Sequence, residues 1–110
     1  MVDLRSCEYF SSLDDVTLER ISQAAREIEF PAGLLLTQPG QIGSGLFVIL
    51  EGTAVVEPPE GPKEIGPGEV FGELAMLAPD GRRTARVRAE TALRCLAIDR
   101  PTLEREGLTA

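Results

Sequence analysis

From Leu34 onward the chain consists of short β-forming segments separated by turns rich in glycine and proline. The β-forming segments are residues 34–37, 46–51, 53–57, 85–89 and 93–98. The turns between them include Pro39-Gly40, Gly43-Ser44-Gly45, residues 58–62 and Gly66-Pro67-Gly68. Short strands punctuated at regular intervals are typical of antiparallel sandwiches and barrels. This spacing predicts a mainly β domain.

The first thirty residues show the spacing of apolar side chains that is typical of a helix, and they predict a helical part over residues 4–30. Ser12 is suited to cap a helix, and the acidic residues that follow it favour a helix N-terminus. Apolar residues then recur at helical spacing, at Leu18, Ile21, Ala25 and Ile28. We expect this helix to end at Phe30, because Pro31 cannot continue the backbone hydrogen bonds.

A second helix is expected to start at the other end of the chain, over residues 99–106. Asp99 is placed to cap it, and Pro101 is tolerated in a first helical turn. Gly107 would then end it. Residues 31–98 lie between the two helical parts, and the 110 residues are expected to form one domain, 1–110.

Composition and charge exclude several classes of function. The longest apolar run, residues 46–50, is far too short to span a bilayer, and no signal peptide is apparent at the start, so we expect a cytoplasmic protein without membrane insertion. The net charge of −7 disfavours direct binding of nucleic acid. Cys7 and Cys95 show no metal-ligand spacing, and Cys95 is expected to be a small core residue in a strand.

Histidine does not occur in the sequence, and its absence bears directly on chemistry. Small β-barrels include metal-binding cupins, whose metal is usually held by imidazoles, and nucleophilic catalysis commonly needs a histidine base. We therefore expect neither a metal site nor a cofactor, and we expect that the protein is not an enzyme.

The most informative residues for function are an acid and an arginine ten positions apart, Glu73 and Arg83. A carboxylate accepts hydrogen bonds from sugar hydroxyls but repels phosphate, whereas a guanidinium offers a planar fork of donors that suits phosphate oxygens. Side by side in one pocket, the two would recognise a sugar and a phosphate of the same ligand. Such a ligand is a nucleotide. A salt bridge between the two residues, without any ligand, is the alternative.

Residues 71–78 (FGELAMLA) and 83–89 (RTARVRA) resemble the phosphate-binding cassette of cyclic nucleotide-binding domains. The resemblance extends upstream through residues 30–33, 38–40, 46–52 and 65–68. This family is shared by bacterial regulators of the catabolite activator type, kinase regulatory subunits and cyclic nucleotide-gated channels. It implies an antiparallel β-roll or jelly-roll barrel of about eight strands with flanking helices, of the cupin-type double-stranded β-helix architecture.

The resemblance also implies which residues bind the ligand, within a cassette over residues 71–88. The candidate ligand-binding residues are Gly72, Glu73, Leu74, Ala75, Arg83 and Thr84. A short helix over residues 73–78 would direct its first backbone amides at the cyclic phosphate. Arg83 would pair with a phosphate oxygen beside Thr84, and Glu73 would accept the ribose 2′-hydroxyl. Arg82 is an alternative phosphate partner.

The function implied is non-catalytic sensing of cAMP or cGMP, which would regulate a partner protein or an effector domain. Two alternatives stay open. In the first, the chain is a degenerate member of the fold that serves as an interaction or dimerisation module. In the second, it is the sensor half of a transcription regulator of the catabolite activator type. Whether it forms a homodimer is left open by the sequence.

Overall fold

The protein is described from a computed structural model, which covers residues 4–57, 61–73, 75, 78, 80–83 and 85–109. Within these residues the helices are two 3-10 turns, Leu4–Ser6 and Glu8–Phe10, and the α-helices α1 (Asp15–Ala24) and α2 (Arg100–Arg105). The strands are β1 (Arg26–Phe30), β2 (Leu35–Thr37), β3 (Gly45–Glu51), β4 (Ala54–Glu57), β5 (Lys63–Ile65), β6 (Val70–Phe71), β7 (Arg86–Ala89) and β8 (Leu93–Asp99).

In the described part of the chain the strands form two four-stranded sheets, and each pairing between them is antiparallel. One sheet has the order β1-β8-β3-β6 and the other has the order β2-β7-β4-β5. The eight-stranded antiparallel roll with flanking helices confirms the fold class predicted from the sequence.

The first helix is shorter than the sequence predicted. It begins after Asp14, whose side chain accepts a hydrogen bond from the Thr17 amide at 2.8 Å, so the prediction of Ser12 as the cap was wrong. It ends at Ala24 rather than at Phe30, because the next residues form the strand β1 along β8, where Ile28 lies opposite Cys95. The helical part predicted over residues 4–30 therefore includes a strand.

The second helix spans Arg100–Arg105, one residue shorter at each end than the prediction over residues 99–106, and the predicted cap is confirmed. Asp99 accepts a hydrogen bond from the Thr102 amide at 3.0 Å, and Pro101 lies in the first turn. Gly107, with a φ of +73°, follows the helix in a conformation that L-residues rarely adopt. Among the described residues, no helix has both the length and the hydropathy needed to cross a membrane.

Two groups of buried apolar side chains hold these layers together. One packs the helices against the β3–β8 face and includes Phe10, Ile21, Leu46, Ile98 and Leu103. The other lies between the two sheets and includes Ile49, Phe71, Val87, Leu93 and Cys95. The prediction that Cys95 is a core residue in a strand is confirmed, since it is fully buried in β8.

Candidate ligand-binding site

A pocket opens between β2, β4 and β7 on one side and the segment that follows β6 on the other. Together with the solvent at its mouth it encloses about 340 Å³. Its walls are formed by Thr37, Val56, Val70, Phe71, Gly72, Glu73, Ala75, Arg83, Ala85 and Val87. Apart from three of these residues, Thr37, Glu73 and Arg83, the walls are apolar or glycine, so polar recognition within the described pocket is concentrated in a few groups.

Arg83 is fixed in this pocket by its backbone and by its side chain. Its amide donates to the Gln41 carbonyl at 2.6 Å, and its carbonyl accepts from the Gly40 amide at 2.9 Å. Nη1 of the half-buried guanidinium donates to the carbonyl oxygens of Gly45 and Gly72, at 3.1 and 2.8 Å. Burial lowers the pKa of Arg83, but a guanidinium keeps its positive charge in proteins. The pocket therefore holds a fixed positive charge.

Glu73 supplies a group of opposite charge in the wall of the same pocket. Its Oε2 is buried and has no hydrogen-bond partner among the described residues. Burial raises the pKa of Glu73, while a hydrogen bond to its own backbone and the charges of Arg83 and Lys63 act in the opposite direction. A buried acceptor without a donor is costly, because it loses its hydration and gains nothing in exchange. A ligand hydroxyl is the kind of group that would satisfy it.

Glu73 and Arg83 line the same pocket without neutralising each other. In the part of the chain that the structure describes, no salt bridge joins them, and the guanidinium donates to backbone carbonyls instead. The alternative in which the two residues serve only as an internal ion pair is therefore not what the geometry shows. Both groups remain directed toward the pocket that they share.

Glycines allow the backbone to approach the guanidinium closely. Gly72 has a φ of +88°, and a Cβ at this position would lie 2.5 Å from Nη1 of Arg83. A Cβ on Gly43 would lie 2.6 Å from the Cβ of Ala75 and 3.1 Å from Cζ of Arg83. Real Cβ atoms do not tolerate such distances, so the pocket depends on glycine at both positions.

A second arginine, which the sequence analysis missed, ties the segment after β6 to the start of α2. Arg100 donates from Nε to the Gly43 carbonyl at 3.2 Å and from Nη2 to the Ala75 carbonyl at 3.3 Å. Its own amide donates to the Ser44 carbonyl at 2.7 Å. An arginine at the first turn of a helix carries no sequence signal for such a role, because all three contacts are made to backbone groups distant in sequence.

The structure brings together four of the six residues that the sequence singled out. Gly72, Glu73, Ala75 and Arg83 all line the pocket. Leu74 and Thr84 lie outside the described residues, as do Met76 and Leu77 of the helix expected over residues 73–78. The parts of the wall formed by Thr37, Val56, Val70, Ala85 and Val87 were not foreseen, since nothing in their local sequence distinguishes them from ordinary strand residues.

Arg82, the alternative phosphate partner, and its neighbour Arg86 both lie outside the pocket. Arg82 is exposed and donates from Nη1 to the Gly40 carbonyl at 2.7 Å. Arg86 is also exposed, and its Nη1 lies 3.8 Å from a carboxylate oxygen of Glu57. The described residues contain no group of three metal-ligating side chains.

Comparison with known proteins identifies the family to which this pocket belongs. The model of the cyclic nucleotide-binding domain matches residues 27–106. The chain is a member of this family. A cyclic nucleotide-gated potassium channel of Rhizobium etli is 36% identical over 89 residues, which are 81% of this chain and 25% of the channel. The chain thus spans about a quarter of that relative.

Solved structures of the cyclic nucleotide-binding domain agree with this assignment. The regulatory domain of Toxoplasma gondii PKA, crystallised with cAMP, has a TM-score of 0.83 and 29% identity, over 93% of this chain and 41% of that one. A putative cyclic nucleotide-binding protein from Geobacter metallireducens has a TM-score of 0.81 and 25% identity, over 96% of this chain and 83% of that one. The resemblance noted in the sequence is confirmed.

Proposed function

We propose that this cyclic nucleotide-binding domain is a non-catalytic sensor that binds cAMP or cGMP and regulates an effector protein or domain. The observation that carries the proposal is the pairing, in one pocket, of an unpartnered buried carboxylate oxygen on Glu73 with the fixed guanidinium of Arg83. A sugar hydroxyl next to a phosphate satisfies both groups at once, and a 3′,5′-cyclic nucleotide presents its 2′-hydroxyl beside its phosphate.

The ligand would be held by groups of different kinds. Arg83 pairs with a phosphate oxygen, and Gly72 and Ala75 allow the backbone to approach it; Leu74 and Thr84 are included on the strength of the family resemblance alone. Glu73 accepts the ribose 2′-hydroxyl. A cyclic phosphodiester carries a single negative charge, so one arginine is enough to neutralise it.

The proposal includes a regulatory rather than a catalytic role. Members of this family are generally regulatory, and in the described pocket Glu73 is the one carboxylate and has no partner that would activate it as a base. The net charge of −7 supports a domain that does not itself contact nucleic acid. We place the sensor in the cytoplasm, where cyclic nucleotides signal.

Titration calorimetry with cAMP, cGMP and 5′-AMP tests the proposal directly. We expect saturable binding of at least one cyclic nucleotide, with one ligand per chain. We expect weaker binding of 5′-AMP, because its phosphate carries a second charge and is not tied back to the ribose. If neither cyclic nucleotide binds at millimolar concentration, the proposal is wrong, and the role of an interaction module becomes the better account.

A further inference from the structure

Strand β1 forms one edge of its sheet, and it differs from the other edge strands of the described chain. It pairs with β8 through all five of its residues without a register shift. At the other edges, β2 and β5 have three residues each and β6 has two, and the pairing of β2 with β7 contains a register shift. Short edge strands and bulges are devices by which proteins prevent unwanted pairing at an edge. Strand β1 has neither.

The backbone of β1 is accessible to a further strand. In an antiparallel pair only alternate residues bond to the neighbouring strand, so the residues between them direct their amide and carbonyl groups away from β8. Four of the five residues, 26–29, are exposed, and no second strand pairs with β1 in the described part of the chain. The edge can therefore exchange hydrogen bonds with an added strand.

One face of β1 offers apolar surface to such a strand. Ile28 is 36% exposed and lines a groove together with Phe47 and Ala97. With the solvent at its mouth, this groove encloses about 570 Å³. Arg26 and Asp99 also line it, and their opposite charges leave this side without a net charge. An apolar side chain of an added strand would thus be covered next to Ile28.

The opposite face of β1 carries a net negative charge. Glu27 and Glu29 alternate with Ile28 and so project from this face. Arg94 binds Glu27 and Glu51, at 2.6 and 2.7 Å, whereas Glu29 takes part in none of the ion pairs among the described residues. Three carboxylates thus accompany one guanidinium, and Glu29 is accessible to a cation from another molecule.

These charges oppose the pairing of β1 with a second copy of itself. If two copies paired antiparallel about Ile28, Glu27 of each would lie directly opposite Glu29 of the other. Like charges directly opposite one another destabilise a sheet, and opposite charges stabilise it. A strand with lysine or arginine at these positions would therefore fit this edge better than β1 itself.

We infer that β1 is a docking edge for an extended segment of a partner protein in which basic residues alternate with apolar ones. The segment adds to the sheet as a fifth strand, with its backbone bonded to the open edge of β1. Its apolar side chains lie beside Ile28, and its basic side chains pair with Glu27 and Glu29. Residues of β1 do not line the candidate pocket, so this docking is separate from the proposed function.

Three synthetic peptides with blocked ends test the docking edge by NMR on the ¹⁵N-labelled domain. The probe is Val-Arg-Val-Lys-Val. Val-Glu-Val-Glu-Val has the opposite charge, and the probe with every internal peptide nitrogen methylated keeps its charges but loses its backbone donors. We expect the probe to shift the amide signals of β1 and to bind about tenfold more tightly than either control, because it alone gains both the ion pairs and the strand pairing.

Variants of the domain locate the contact. Glu29→Lys should weaken binding of the probe about fivefold to tenfold, because an ion pair is replaced by a repulsion. Ile28→Thr, which keeps a β-branched side chain, should weaken it by removing apolar surface. Glu64→Lys is the matched control, because Glu64 is an exposed glutamate on the three-residue edge strand β5. At physiological salt its affinity should stay within about twofold of that of the unmodified domain.

Several results would overturn the inference. One is equal binding of the basic and the acidic peptide, and another is a set of shifted signals that excludes β1. Equal affinities in Glu29→Lys and Glu64→Lys would show that the attraction is not local to this edge. A dimer of the unmodified domain in analytical ultracentrifugation that Glu29→Lys changes would show that a second copy, rather than a basic partner, occupies β1.

Discussion

The guanidinium of Arg83 fills the space that a side chain at Gly72 would need. Nη1 of Arg83 donates to the Gly72 carbonyl at 2.8 Å, and a Cβ on Gly72 would lie 2.5 Å from the same nitrogen. The guanidinium is thus held in the pocket by a backbone that has no room for a side chain. Both the position of the positive charge and the left-handed conformation at Gly72 depend on this contact.

Gly72→Ala should impair binding in excess of its effect on stability. The alanine must adopt a φ of +88°, which costs about 1–2 kcal/mol of folding free energy, and it must also displace Arg83. Gly68→Ala is the matched control, because Gly68 has a φ of +87° with nothing within 4 Å of the added Cβ. Denaturation and calorimetry on both variants should show similar losses of stability, with reduced affinity for the cyclic nucleotide in Gly72→Ala alone.

Arg83→Leu should weaken binding of the cyclic nucleotide about 30-fold or more. The change removes a half-buried charge-assisted pair worth about 2 kcal/mol or more. Arg82→Leu provides the comparison, because Arg82 is an exposed neighbour whose side chain contacts the Gly40 carbonyl and Asp80 and does not line the pocket. Calorimetry should show a far smaller loss for Arg82→Leu, and equal losses at the two positions would mean that Arg83 is not the phosphate partner.

A 2′-deoxy cyclic nucleotide should bind about 5- to 150-fold more weakly than its ribose counterpart. Without the hydroxyl, Oε2 of Glu73 stays buried and unpaired, which typically costs about 1–3 kcal/mol. The same comparison in Glu73→Ala should show no difference between the two ligands. Equal affinities in the unmodified domain would show that Glu73 does not contact the ribose.

Glu73→Gln should stabilise the domain at neutral pH when no ligand is present. Burial raises the pKa of Glu73 in the folded state, so its protonated form favours folding. That stability is fully present below the pKa of the unfolded chain and is lost as the pH rises through the higher folded pKa. Thermal melts from pH 4 to pH 8 should therefore show a Tm advantage for Glu73→Gln that grows with pH. An advantage that does not change with pH would contradict the burial of this charge.

Much of the β-roll could be predicted from the sequence because its turns are marked by glycine and proline. Strand β3 lies between two such turns, and it begins one residue earlier than the predicted strand over residues 46–51. Strand β1 was missed because Ile28 continues the helical spacing of Leu18 and Ile21, although the chain leaves the helix at Ala24. What fixes β1 as a strand is its pairing with β8, and a contact between such distant segments leaves no local pattern.

The candidate site could also be predicted only in part. Glu73 and Arg83 could be proposed because their chemistry and the surrounding motif indicate a nucleotide ligand. The contacts that fix the geometry of the site could not be predicted. Arg83 and Arg100 donate to backbone carbonyls, and every residue has a carbonyl. The role of Gly43 was equally hidden, since it depends on how closely Ala75 approaches.

The contacts of Arg100 have a mechanical consequence. Its guanidinium donates a hydrogen bond to the Ala75 carbonyl in the wall of the pocket, and Arg100 is itself the first residue of α2. Any displacement of residue 75 must either stretch that hydrogen bond or pull on the helix. The start of α2 is thus coupled to the position of the pocket wall, and a segment that followed this helix in a longer protein would be attached to an element in contact with that wall.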